Sequence, residues 1–270
     1  IAYGATDGVT RIIDAETASQ PQWEMAGTMN LGGLPFGFGD RVAGSRMIVT
    51  GELNVQQRVE ISADTTLTDQ STTDIDASAH VLAMSATTTV QSGATFTGEG
   101  TLQVGGQMSL EAGLSTGQVG LTNRGELLFG NTTGAVSVDR FAQDLGATFF
   151  ANVGKNDVGT DSAVLTVSGG AADLAGDVHP RVIQLAGKNE DFAPGDTFTI
   201  LTAVGGLNST FDSVLDTFQG GLTYMWDITH NPSNVVLEFL SVDGLLGDYN
   251  MDGVVNARES GDRSVVRRPD

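Results

Sequence analysis

The feature that most constrains this chain is a succession of very short hydrophobic alternations between Arg46 and Val138. In RMIVTGELNV, RVEISADTTL, HVLAMSATTTV, TLQVGGQMSL and GELLFG, apolar residues recur at every second position for a few residues and then give way to Gly, Asn, Asp or Ser. Period two is the side-chain period of a β-strand, and the interrupting residues are those that turn corners. No convincing amphipathic helix of ten or more residues occurs in this stretch. The chain has 40% hydrophobic residues but only 6% aromatic ones, with 36 glycines in 270 residues. Its core must therefore be built from many small and β-branched side chains, which favours thin, layered β structure.

Two all-β architectures suit such segments. A sandwich expects strands of about five to seven residues joined by hairpins, whereas a parallel β-solenoid expects shorter strands, frequent corners and weak repetition at about 20 residues per coil. ATTTVQSGATFTGEGTLQVGGQMSLEAG and TGQVGLTNRGELLFGNTTGAVSV follow the second pattern. The expected fold is a right-handed parallel β-solenoid (β-helix), with a β-sandwich as the alternative for the C-terminal half. From Phe141 to Leu240 the strands lengthen, as in DSAVLTVSGG, DTFTILTAVGG and NVVLEFLSV, with GG, PGD and NPSN as punctuation. STFDSVLDTF, Ser209 to Phe218, reads either as a short helix or as two short strands around a turn.

The expected organisation is an irregular N-terminal segment or cap at 1–45, solenoid coils at 46–140, a β-rich region at 141–242 that continues or caps the solenoid, and a terminal loop and basic tail at 243–270. With Ile at position 1 and no signal peptide, the sequence reads as a fragment or a mature segment. No apolar run approaches the roughly 18 residues of a membrane span.

The formal charge of −20 and only two lysines argue against nucleic acid as a partner, since phosphate neutralisation needs clustered cations. An acidic surface suits calcium, a cationic partner or simple solubility. With no cysteine, the redox compartment is not readable.

The stretch GDYNMDGVVNARESGD, Gly247 to Asp262, departs from this texture. Reading from Asp248, oxygen-bearing side chains fall at loop positions 1, 3, 5, 9 and 12: Asp248, Asn250, Asp252, Asn256 and Glu259, with Gly253 at position 6. A twelve-residue loop turning sharply at its sixth residue offers calcium the six to eight hard oxygens it prefers. The alternative is an acidic glycine turn with no ion.

DFAPGDTFTILTAVGGLNSTF, then GGLTYMWDITHNPSNVVLEFL, then LLGDYNMDGVVNA, taken in order, resemble the C-terminal region of large secreted proteins of planctomycete-like bacteria. Those proteins carry autotransporter-associated β-strand repeats followed by a dockerin-type calcium loop. The resemblance covers Phe141 to Ala257 and is compositional upstream. It implies an extracellular or cell-surface β-solenoid, in a family whose members mostly have no assigned activity. For the loop, which looks like the first half of a type I dockerin, it implies calcium held by Asp248, Asn250, Asp252, the Val254 carbonyl, Asn256 and Glu259. Glu259 stands where dockerins usually carry Asp, and RESGDRSVVRRPD replaces the expected helix and second loop. A cohesin-like partner is therefore held back.

Catalytic constellations are sparse. His80, His179 and His230 are scattered, and neither GxSxG nor HExxH occurs. Asp69, Asp74 and Asp76 in TDQSTTDID are the nearest candidate carboxylate group for polysaccharide chemistry, and they read equally as a polar turn between coils. Trp23, Tyr224 and Trp226 could stack on sugar rings but read better as core or cap. The sequence points to a structural or adhesive segment, with polysaccharide or cell-surface components as partners. The competing reading is a carbohydrate-active β-helix enzyme (polysaccharide lyase or hydrolase) or a carbohydrate-binding module.

Overall fold

The short alternations become coils. The computed structural model describes residues 22–25, 27–31, 40–42, 46–187 and 191–244. These residues form β-strands and turns, with no helix among them. Three faces are built up by strands stepping in parallel register. The first runs through Gln22–Met25, Arg46–Val49, Asp64–Leu67, Thr88–Val90, Gln107–Leu110, Glu126–Phe129, Thr148–Asn156 and Asp177–Val182. The third runs from Asp40–Val42 through Arg58–Ile61, Val81–Met84, Thr101–Val104, Gly120–Asn123 and Phe141–Gln143 to Ala172–Asp173. The second starts with Thr28–Leu31, Glu52–Val55, Thr72–Ile75 and Thr95–Gly98. It thins to an isolated bridge at Ser115 and resumes with Gly134–Val138, Gly159–Val167 and Thr197–Ala203. This is a parallel β-solenoid.

Each strand is short because only two of its side chains can point inward before the chain must turn. Arg46–Val49, Glu52–Val55 and Arg58–Ile61 each alternate outward and buried positions. Since register is maintained from coil to coil, the inward residues stack in columns. One column on the third face is Val59, Leu82, Leu102, Leu121, Phe141 and Ala172, all buried. A coil alone has no second layer to cover these side chains, so each is stabilised by its neighbours. The corners demand glycine where coils touch. Gly98 has φ +85°, and a Cβ there would overlap the Ile75 carbonyl of the coil before it.

One column changes character along the stack. Ile61, Met84 and Val104 are followed by Asn123 and Gln143, also buried. Asn123 Nδ2 donates to Gln143 Oε1 at 2.8 Å and to the Thr148 carbonyl at 3.0 Å, while Asn123 Oδ1 accepts from the Gly125 N–H. Gln143 Nε2 donates in turn to the carbonyls of Ala147 and Asp177. The amides pin the corner between the third and first faces across three coils, a place where the backbone carbonyls need donors.

The end of the stack is antiparallel. Two tight hairpins close it, because GG at 220–221 supplies two left-handed residues (φ +60° and +79°) and NPSN turns the chain before Asn234. Thr197–Ala203, Asn234–Gly244, Leu222–His230 and Thr217–Gln219 pair in that order. Beneath this sheet lies an aromatic cluster of Phe192, Phe198, Trp226 and Phe239, with ring centroids 5.4 to 5.9 Å apart. From Phe141 to Val182 the parallel stack continues despite the longer strands, and Thr197–Ala203 extends its second face before the antiparallel sheet begins. Extra length goes instead into a hairpin, Val153↔Ser162 to Asn156↔Gly159, that projects from the coil with Val158 exposed at its tip. STFDSVLDTF is two short strands, Ser213–Val214 and Thr217–Gln219. Phe211 is buried while Phe218 is 66% exposed, so the segment has no single apolar helical face.

Candidate functional site

A concavity lies on the outer surface of the first face, where the parallel stack meets the antiparallel cap. It is an open groove of about 640 Å³, within the 300–1,000 Å³ range of small-ligand sites. Its floor comes from outward positions of adjacent rungs. Phe150 and His179 are register partners, with ring centroids 5.1 Å apart. Arg181 lies two residues beyond His179 on the same strand. A further wall is the edge strand Thr217–Gln219 of the cap, which offers the ring of Phe218 and the amide of Gln219. Thr217 anchors that wall: its hydroxyl donates to the Pro180 carbonyl and accepts from Trp226 Nε1 at 3.2 Å.

Arg181 is the charged group of the groove. Its guanidinium donates to the Phe129 carbonyl at 3.4 Å and to Asn131 Oδ1 at 3.1 Å. Both acceptors are neutral, and among the described residues Arg181 makes no ion pair. Arg124, Arg140 and Lys155 are each paired with a carboxylate, Asp144, Asp139 and Asp196 respectively. Partial burial, assisted by the charge of Arg181 and opposed by Glu126, holds the His179 pKa below its ordinary value. The ring is neutral at pH 7 and can donate and accept one hydrogen bond each. The groove thus offers aromatic faces, amides, a neutral imidazole and one cation with spare donors.

The sites anticipated from sequence fare differently. Asp248, Asn250, Asp252, Val254, Asn256 and Glu259 lie outside the described residues. Asp69, Asp74 and Asp76 do not converge. Asp69 sits in the turn before Thr72–Ile75, Asp74 accepts from Thr97 Oγ1 at 2.7 Å on the outer second face, and Asp76 pairs with His80 Nδ1. No group of three or more His, Asp or Glu able to hold a metal occurs among the described residues. His230 accepts the Phe211 N–H at Nε2, and burial depresses its pKa. Trp226 is buried and Tyr224 packs partly buried against the core, so both are cap residues. Sequence reasoning did not single out Phe150, Arg181 or Phe218. The exposed position of Phe218 in an aromatic-poor chain was the available signal, but it requires knowing that Ser209–Phe218 is not a helix. Compared with known proteins, the chain matches no protein-family model and no curated protein.

Proposed function

We propose that this chain is a structural or adhesive segment of an extracellular or cell-surface β-solenoid. The observation that carries the reading is the unbroken parallel stack from Gln22–Met25 to Asp177–Val182. Hydrogen bonds along the stack and buried columns across it make a stiff rod of nearest-neighbour contacts, suited to spacing or display. The acidic surface keeps such a rod soluble and discourages end-to-end association.

The same reading gives the terminal loop a structural calcium ion. Asp248, Asn250, Asp252, Asn256 and Glu259 provide side-chain oxygens at the required spacing, and the dockerin-like resemblance adds the Val254 carbonyl. A single loop of this kind is expected to bind at about 10⁻⁴ to 10⁻³ M, the range of extracellular modules. Calorimetric titration of the intact chain beside Asp248→Ala and Glu259→Gln tests it. Saturable binding lost in both variants supports the site; no heat up to millimolar calcium rejects it. A second reading, a carbohydrate-binding module, is favoured by the aromatic groove at Phe150 and Phe218. Release of reducing ends or unsaturated products from polysaccharides would show an enzyme and overturn the structural reading.

A further inference from the structure

We infer that the groove between the first face and the cap binds a carboxylate-bearing sugar, a uronate residue of an acidic polysaccharide, with Arg181 as its anion-recognising group. The inference rests on the adhesive part of the reading above and specifies its ligand class and place.

Three observations converge. First, Arg181 is held by the Phe129 carbonyl and Asn131 Oδ1, acceptors that orient a guanidinium without neutralising it. A guanidinium has five N–H donors in a planar fork, so donors remain for a planar carboxylate, which it matches bidentately. In a chain of 33 acidic and 13 basic residues, ready carboxylates abound, yet this arginine faces a groove without one as an ion-pair partner among the described residues.

Second, the groove is walled by aromatic surface of the kind that covers the apolar C–H face of a pyranose. Phe150 and His179 form adjacent rungs, and Phe218 stands 66% exposed in the same groove. An exposed phenyl ring is otherwise unfavourable on the surface of a cap whose other large aromatic side chains are packed inward. Third, three further lining residues, Asn131, Gln184 and Gln219, carry uncharged amides that can both donate to and accept from hydroxyls.

A second, smaller cleft lacks this combination. It has about 240 Å³, and its arginine, Arg140, is bound to Asp139 at 3.1 Å and to the Glu99 carbonyl at 2.8 Å. The overall charge of −20 disfavours a polyanion lying along the whole rod. It is compatible with one uronate seated at Arg181, because charges beyond about 8 Å are screened at physiological ionic strength.

The test is calorimetric titration of the intact chain with a galacturonate trisaccharide, its methyl ester and a neutral galactose trisaccharide, repeated on Arg181→Gln and Phe218→Ala. The acid should bind about tenfold or more tightly than the ester or the neutral sugar, as expected for loss of a charge-assisted hydrogen bond. Arg181→Gln should abolish that preference, while Phe218→Ala should weaken all three sugars and leave the melting temperature unchanged. Equal binding of acid and ester, or acid binding untouched by both substitutions, overturns the inference. So does absence of binding, including the case in which Phe218→Ala instead abolishes self-association and so identifies a protein contact. If Arg181→Gln does not fold, the ester comparison and Phe218→Ala still decide. A negative result leaves the stiff-rod reading intact, since that one is overturned by product release from polysaccharides.

Discussion

The ring of Phe211 lies nearly parallel to that of Phe149, at 7° and a centroid separation of 6.0 Å, joining the cap segment to the core of the parallel stack. Phe149 in turn meets Phe129 edge-on at 5.5 Å and Phe141 at 6.3 Å, so one aromatic group ties two consecutive coils to the cap. Phe211→Ala should cost about 3–5 kcal/mol, the usual loss for a large buried aromatic side chain. Because coils contact only their neighbours, the damage should be concentrated in the cap. Hydrogen exchange should show faster exchange in Leu222–His230 than in Arg58–Ile61. Uniform acceleration through both strands would contradict this.

The cap should also weaken on mild acidification. His230 accepts the Phe211 N–H at 3.1 Å through Nε2, which requires the neutral ring, and burial lowers its pKa in the folded state. The unfolded chain, with an ordinary value of about 6.5, binds more protons than the folded one between the two values. Stability from this group is therefore full above about pH 6.5 and is lost as pH falls toward the depressed folded value. His230→Gln keeps an acceptor without a titration and should flatten the melting temperature between pH 7 and pH 5. A residual slope remains from His179, whose pKa is shifted the same way.

At lower pH the link between the projecting hairpin and the cap should fail. Lys155 Nζ bonds Asp196 Oδ2 at 2.8 Å, and the Ala193 N–H donates to the same carboxylate. Burial alone would raise the Asp196 pKa, but together these donors and the lysine charge outweigh it and lower the value. The stabilisation is present above the unfolded value and lost as pH falls through the lowered folded value, below the usual aspartate range. Asp196→Asn should remove part of the acid sensitivity below about pH 4 while lowering stability at neutral pH. An unchanged acid limb in urea titrations would refute the assignment.

The amide column at the third corner should be costly to break singly. Replacing Asn123 by Val leaves Gln143 Oε1, the Thr148 carbonyl and the Gly125 N–H short of a partner. Each buried polar group left unmet costs about 1–3 kcal/mol. Asn123→Val should therefore be more harmful in urea denaturation than Val104→Ala in the same column, although it adds apolar surface. The reverse ranking would mean that the amides are dispensable.

Much of the architecture was legible in residue order because its causes are local. Inward residues such as Val59 and Ile61 alternate with outward Arg58 and Glu60 within one strand, and glycines such as Gly98 mark the corners where a side chain cannot fit. These patterns determine short strands and tight turns whatever surrounds them. Whether coil length would continue past Phe141 was not local. The longer strands there suited a sandwich equally, and the choice fell to the register of Phe149 over Leu127 and Val178, which buries those side chains in the same column.

The residue order by itself determined a thin all-β chain, an acidic surface and a calcium-like spacing at its C-terminal end, each a property of neighbours within a dozen residues. The tertiary structure decided where the groove lies and which charge it presents. Arg181 finds its acceptors at Phe129 and Asn131, 52 and 50 residues earlier, and Phe218 comes to line the same groove. Such partners meet only when the coils are wound and the cap is folded back onto them, because a contact across the stack depends on how many residues each coil consumes.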